Sequence, residues 1–259
     1  MTVSLIDRIL APGGVRALLQ PVYRISGTAR AVHAVECLAR GPVGTNAEAA
    51  PVLFDYVRRK REEARVDRIC IAAALSAVRE VRDQVRVCIN VHASTLGRDE
   101  TFPAFFAALL KAYRVEPERI VLELVEHGPA LDFKGFARSL HDLRDLGMRL
   151  AIDDLGIGSS NLRLLVECKP DYVKVDRYFV SCANECARKR AVLGAVVRLA
   201  AELDAEVIAE GVENPAELEL LRSLGVDLVQ GYLFSRALPP AELALLESQA
   251  FRTAQDPAA

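Results

Sequence analysis

In this chain of 259 residues, Arg or Lys interrupts every apolar stretch long enough to span a bilayer, and no charged leader precedes an apolar run. A cytoplasmic protein without membrane contact, its thiols reduced, is therefore expected. The cysteines Cys37, Cys70, Cys88, Cys168, Cys182 and Cys186 form no CxxC pair and lie mostly in apolar runs. That favours buried free thiols over metal or redox chemistry. An excess of one charge is lacking too, with 33 Lys and Arg against 35 Asp and Glu and a formal net charge of −2. Polymeric nucleic acid is thus not an expected partner, although a local basic pocket stays open. Internal repeats, low-complexity tracts and interdomain linkers are also missing.

With 51% of its residues apolar, the chain can bury one large core. A single domain over residues 1–259 is expected, its body at about 15–248 and a frayed tail at 249–259. That length leaves no room for a fused sensor, so control is expected from a regulatory protein partner or a longer parent chain. Short β-rich runs recur at 20–24, 34–40, 85–91, 119–125, 149–154, 171–176, 206–212 and 227–233. Between them, 102–113, 133–146, 187–203 and 215–224 carry apolar residues at helical spacing, and 47–82 leaves room for two helices. Strands alternating with helices imply a parallel sheet, and eight such units imply an α/β barrel of the TIM type. Only the turn-like Ser26, Gly27 and Thr28 separate the first two runs. A hairpin fits there and a crossover helix does not, so the first strand is expected to run antiparallel.

Strands of a parallel barrel are buried on both faces, so their carboxylates need a reason. Glu36 interrupts Ala34-Val35-Glu36-Cys37-Leu38, Glu123 interrupts Ile120 to Val125, Asp153 and Asp154 close Leu150-Ala151-Ile152, and Glu210 and Asn90 end their own strands. Any one of these is explained as a strand-end carboxylate capping the next helix or facing water. Several placed alike converge on one barrel mouth, where their repulsion demands protonation or cations. Cations are the simpler answer, and oxygen donors without a Cys or His cluster suit Mg²⁺ or Mn²⁺. Neighbouring Asp153 and Asp154 side chains diverge on a regular strand, so the strand is expected to bend at its end. Lys174, the one basic residue inside a strand, is either a buried counter-ion or a cation that orients water and offsets phosphoryl charge.

In order, these residues resemble the EAL family from Gln20 to about Leu238. Gln20-Pro21-Val22 is similar to its opening QP[IV], and Glu36-Cys37-Leu38-Ala39-Arg40 to the signature E-A-L-x-R. Glu123-Leu124-Val125-Glu126 resembles E-L-T-E, and Asp153 to Ser160 resembles D-D-F-G-x-G-x-S. Lys174-Val175-Asp176, Ala209 to Glu213 and Gln230 to Arg236 continue the match. The resemblance implies hydrolysis of cyclic di-GMP to linear pGpG with two Mg²⁺ or Mn²⁺ ions, in second-messenger signalling and as a homodimer. It implies that Glu36, Asn90, Glu123 and Asp153 hold the first ion and that Asp153 bridges to a second held with Asp154. It gives Lys174 and Glu210 the attacking water, with Gln230 behind them. Arg40 would meet a substrate phosphate, Gln20 and Leu38 would line the pocket, and Glu126 and Glu213 would support a loop.

The departures bear on rate. Cys37 replaces the signature alanine but points away from Glu36 on a regular strand. Val125 replaces threonine, His92 replaces serine, and His127 follows Glu126. Leu155, Ile157 and Ser159 replace the family's Phe, small polar residue and Tyr, so a slackened loop over 155–160 and reduced turnover are expected. The alternative function is a catalytically weak or silent receptor for cyclic di-GMP, or for a protein, through the same barrel. His92 shares a strand face with Asn90, and a surface or hydrogen-bonded histidine is favoured over one near the metals.

Overall fold

A computed structural model describes residues 3–26, 29–125, 132–156, 161–243 and 245. Glu126, His127, residues 157–160 and the tail at 249–259 lie outside these. The chain opens with α1 (Leu5–Leu10), β1 (Arg16–Ser26) and β2 (Ala29–Arg40), followed by α2 (Ala50–Lys60), α3 (Glu63–Ala77) and β3 (Arg86–His92). Next come α4 (Ala93–Arg98), α5 (Phe102–Tyr113), β4 (Ile120–Val125), α6 (Phe133–Asp145), β5 (Arg149–Leu155) and α7 (Asn161–Cys168). The remainder is β6 (Tyr172–Val175), α8 (Arg177–Val180), α9 (Ala187–Glu202), β7 (Glu206–Ala209), α10 (Pro215–Ser223) and β8 (Leu228–Val229). The strands close into a barrel in sequence order. β1 runs antiparallel to β2 and β8, and the other neighbours are parallel, as the short first connection requires.

Four strands differ most in length from the sequence pattern. The hairpin strands are longer than expected because β1 and β2 stay paired from Arg16 with Arg40 to Ser26 with Ala29. β7 and β8 are shorter, since the backbone turns at Gly211, whose φ is +66°, and bends at Gly231. Helix α1, unmarked in the sequence pattern, seats Ile9 among Val15, Ala47, Leu53 and Val57 on the outside of the barrel. Cys37, Cys70, Cys88 and Cys168 are buried thiols as expected. Cys182 is exposed and Cys186 half-buried, because both fall in the turn before α9 rather than in an apolar run.

Period-two alternation divides the core. Odd residues of β2 and β3, such as Val35, Cys37, Val87 and Ile89, join the shell under the helices. The opposite face of the eight strands supplies Val22, Ala34, Cys88, Val121, Ala151, Tyr172, Ile208 and Leu228, an apolar layer across the barrel interior. This layer is a floor for whatever lies nearer the strand ends.

Two loops at that end are joined by one buried carboxylate. Glu217 of α10, 2% exposed, accepts from the backbone N–H of Cys182 (2.9 Å), Glu213 (2.9 Å) and Asn214 (3.3 Å). Asn214 in turn accepts from Glu217 N at 3.0 Å, completing a capping box. Replacing Glu217 with Ala leaves three N–H groups without their acceptor, which should cost about 2 to 4 kcal/mol of stability. Urea unfolding checks this, and a loss below about 1 kcal/mol would show that water replaces the carboxylate.

Candidate metal and active site

Each residue of the apolar floor has a partner two positions along its strand, toward the mouth of the barrel. From Val22, Ala34, Cys88, Val121, Ala151, Tyr172, Ile208 and Leu228 these are Gln20, Glu36, Asn90, Glu123, Asp153, Lys174, Glu210 and Gln230. β1 runs backward, so its partner is two residues earlier in sequence and still at the same height, with Gln20 opposite Glu36. Side-chain alternation therefore builds a polar ring directly above an apolar one.

Lys174 is the hub of that ring. Its Nζ lies 2.8 Å from Glu210 Oε1, 2.9 Å from Glu123 Oε2, 3.1 Å from Asp153 Oδ1 and 3.4 Å from Glu36 Oε1. The ammonium is 1% exposed. Burial opposes its charge, but the four carboxylates outweigh that and push its pKa well above the lysine range. Glu36 also accepts from Asn90 Nδ2 at 3.1 Å and Gln230 Nε2 at 2.8 Å. Burial raises the Glu36 carboxyl, yet Lys174 and these two amides prevail and hold it below the usual range. Glu123, by contrast, is driven well above that range by burial and the neighbouring Glu36 charge, against the pull of Lys174. Glu210 reaches about 8, chiefly through burial, with Lys174 pulling down and Asp153 pushing up.

The adjacent aspartates are brought together by a bulge. β5 loses register with β6 between Ile152 and Leu155, and Asp154 takes φ +51° in the left-handed region. Oxygens of Asp153, Asp154 and Glu210 thereby fall within 4.8 Å of one another. Asp154 N donates to Asp153 Oδ1 at 3.0 Å, and burial followed by the Asp153 and Asp176 charges lifts the Asp154 carboxyl to about 6. Beyond the bulge, Leu155 packs into the core at 3% exposed. At Gly156, φ +94°, an added Cβ would lie 2.8 Å from the Phe179 ring, so this glycine is needed for close approach as well as for its turn.

A cavity of about 260 Å³ above the ring is lined by Gln20, Glu36, Leu38, Asp153, Lys174, Arg177, Glu210, Gly211, Glu213, Gln230, Gly231 and Tyr232. Gln20 is turned aside by a hydrogen bond to Ser235 O at 3.1 Å. Arg40 is not among the lining residues; its Nη1 donates to Ala39 O at 2.9 Å. Glu213 is at the rim, with Oε1 2.8 Å from Arg177 Nη2. His92 is buried and bonded to Asp67, with Nδ1 2.8 Å from Oδ1, and Asp67 also accepts from His92 N and Thr95 Oγ1. This is the hydrogen-bonded histidine the sequence favoured, although it shares a second cavity with Glu36, Asn90 and Asp153. Arg177, Tyr232 and Asp67 escaped sequence reasoning because a basic, an aromatic and a helical acidic residue carry no anomaly of their own.

The donor set fits divalent cations. Glu36, Glu123, Asp153, Asp154 and Glu210 outnumber the single buried ammonium of Lys174. Two buried oxygens, Glu123 Oε1 and Gln230 Oε1, have no hydrogen-bond partner. Orphaned oxygens beside excess negative charge are what hard cations satisfy.

The family described as EAL domain matches residues 6–237. NbdA of Pseudomonas aeruginosa, a cyclic di-GMP phosphodiesterase, is 34% identical over 82% of this chain and 28% of its own length. RocR of the same organism, another cyclic di-GMP phosphodiesterase, is 35% identical over 60% of this chain and 39% of its own. The chain thus spans well under half of either relative. Among solved structures, the manganese and cyclic di-GMP complex of Klebsiella pneumoniae BlrP1 is 30% identical with a TM-score of 0.77, over 88% of this chain and 57% of that one. An EAL domain protein of Listeria monocytogenes, 24% identical with a TM-score of 0.82 over 96% of this chain and 98% of that one, bears on the fold alone. Among the described residues no helix is long and apolar enough to cross a membrane.

The raised carboxyls set a pH dependence. A group whose folded pKa exceeds its unfolded value stabilises the fold at low pH and loses that contribution as pH rises. For Asp154 the window runs from 3.8 to about 6, and for Glu210 from 4.5 to about 8. His33, lowered to about 4 by burial and then by Arg24 and Arg86, acts in the opposite sense, so cation-free and Mn²⁺-loaded scans must be compared. Mn²⁺ should raise the melting temperature more at pH 8 than at pH 5. A shift independent of pH would show that these carboxyls do not meet the ion.

Proposed function

The chain belongs to the EAL domain family, and from that premise we propose that it hydrolyses one phosphodiester bond of cyclic di-GMP to linear pGpG, using two divalent cations. The carrying observation is the ring itself: four carboxylates converge on one buried ammonium above an apolar floor, with Asn90 bonded to Glu36 and Asp154 beside Asp153. Support for the substrate comes from the relatives, two of which are cyclic di-GMP phosphodiesterases, and from the cyclic di-GMP complex of BlrP1.

In this reading Glu36, Asn90, Glu123 and Asp153 hold one Mg²⁺ or Mn²⁺ and Asp153 with Asp154 holds the other. Such ions, when bound, activate water and offset charge on phosphoryl oxygens. The remaining work falls to side chains. Lys174 keeps Glu210 in place at 2.8 Å, and Glu210 in its ionised form would take a proton from the attacking water. Gln230 fixes Glu36 from the side opposite Asn90, since the two amides bind different oxygens of its carboxylate. The attacking water bonds phosphorus, the ester bond to one ribose breaks, and the released ribose oxygen gains a proton, so water is added across the bond. Glu213 and Glu126 serve as loop support, and Gln20, Leu38 and Arg40 as substrate contacts, once the substrate draws Arg40 inward.

The reading includes a homodimer in the cytoplasm under the control of a regulatory partner. What bears on the dimer is α7, which presents Leu162 and Val166, one turn apart, at 67% and 72% exposure.

Incubation with cyclic di-GMP and Mn²⁺ should yield linear pGpG on a chromatogram, and Glu36→Ala should lower turnover by about a hundredfold or more while the fold is kept. Full turnover by that variant removes Glu36 from the site. Tight nucleotide binding with no product would favour the receptor reading.

A further inference from the structure

A cyclic dinucleotide carries two phosphodiester charges, and the carboxylate ring serves only the one that is cut. The other needs its own cation. Among the described residues lining the cavity, the cations are Lys174 and Arg177. Lys174 is 1% exposed and committed to four carboxylates within 3.4 Å. Arg177 is different: its side chain is 57% exposed and stands at the rim.

Its position is built by the fold. Arg177 opens α8 three residues after Lys174, so the end of β6 carries it to the mouth. Its stem lies across Gly211, where an added Cβ would meet Arg177 Cγ at 2.4 Å and Cβ at 2.5 Å. Only a glycine leaves that seat open. Glu213 holds the head group through Nη2 at 2.8 Å, and Glu213 N is in turn fixed by buried Glu217 at 2.9 Å. A guanidinium has five N–H donors, so one acceptor does not exhaust it. An exposed ion pair contributes little to stability, and the fold does not require this one.

We propose that Arg177, seated on Gly211 and aimed by Glu213, is the specificity-determining contact for the uncut phosphodiester of the cyclic dinucleotide. This rests on the hydrolase reading above. It assigns substrate recognition to a residue on the β6 side of the mouth, across the barrel from Arg40 on β2.

The test compares Arg177→Ala and Arg177→Lys with the unaltered protein on cyclic di-GMP and on bis(p-nitrophenyl) phosphate, a diester with a single phosphate. Binding is measured in Ca²⁺ and turnover in Mn²⁺. Arg177→Ala should weaken cyclic di-GMP binding about tenfold to a hundredfold, with the loss in KM rather than kcat, and Arg177→Lys should recover part of it. The ratio of kcat/KM for cyclic di-GMP to that for the single-phosphate diester should fall by the same factor. Binding by Arg177→Ala within twofold of the unaltered protein overturns the inference, as does an equal fall on both diesters, which marks a structural pair. An unaltered protein that neither binds nor cleaves cyclic di-GMP overturns the hydrolase reading and the inference with it.

Discussion

One buried ammonium faces four carboxylates, and the arrangement of the site follows from that imbalance. Without Lys174, Glu36, Glu123, Asp153 and Glu210 would repel one another in a region where water does little to screen them. With it, the ring is held but not neutral. The split in proton affinity shows where the compensation ends: Glu36, with two amides as well as Lys174, stays readily ionised, while Glu123 and Glu210 resist ionisation. A site left in this state has a standing demand for positive charge. That demand is the physical link between the fold and the phosphodiester chemistry proposed for it.

The barrel makes the imbalance tolerable by separating it from the core. Eight apolar side chains close the interior beneath the ring, and the alternation that directs Glu36 inward directs Val35 and Cys37 out to the helices. The exception to this alternation is β5, where a regular strand would turn Asp154 away from Asp153. The left-handed Asp154 and the lost register there are local strain placed at the site, as expected where geometry outranks backbone comfort.

Much of this was legible in the sequence, for identifiable reasons. Carboxylates inside runs such as Ile120 to Val125 are conspicuous because the surrounding residues leave them no solvent, and the short Ser26 to Thr28 connection permits only a hairpin. The bend at Asp153 and Asp154 was predictable from their adjacency alone. Helix α1 was not, since six residues with one buried side chain give no period. Nor were the partners of His92 and Arg177: Asp67 lies 25 residues from His92 and Glu213 lies 36 residues from Arg177, and such pairings exist only once neighbouring units have packed together on the way to barrel closure.

That closure has a consequence for the order in which the protein acquires its capacity to act. The β1–β2 hairpin is joined by eleven residue pairs between near neighbours in sequence, whereas the β1–β8 seam has two, Tyr23 with Val229 and Arg24 with Leu228. Local pairings form early, and a contact spanning some two hundred residues waits on the largest loop to close. Gln230 sits at the end of β8, and its hydrogen bond to Glu36 crosses the seam. A chain emerging from the ribosome therefore holds most of its acidic residues long before it holds a working ring. The ring is complete only once the last strand has arrived and Gln230 has met Glu36.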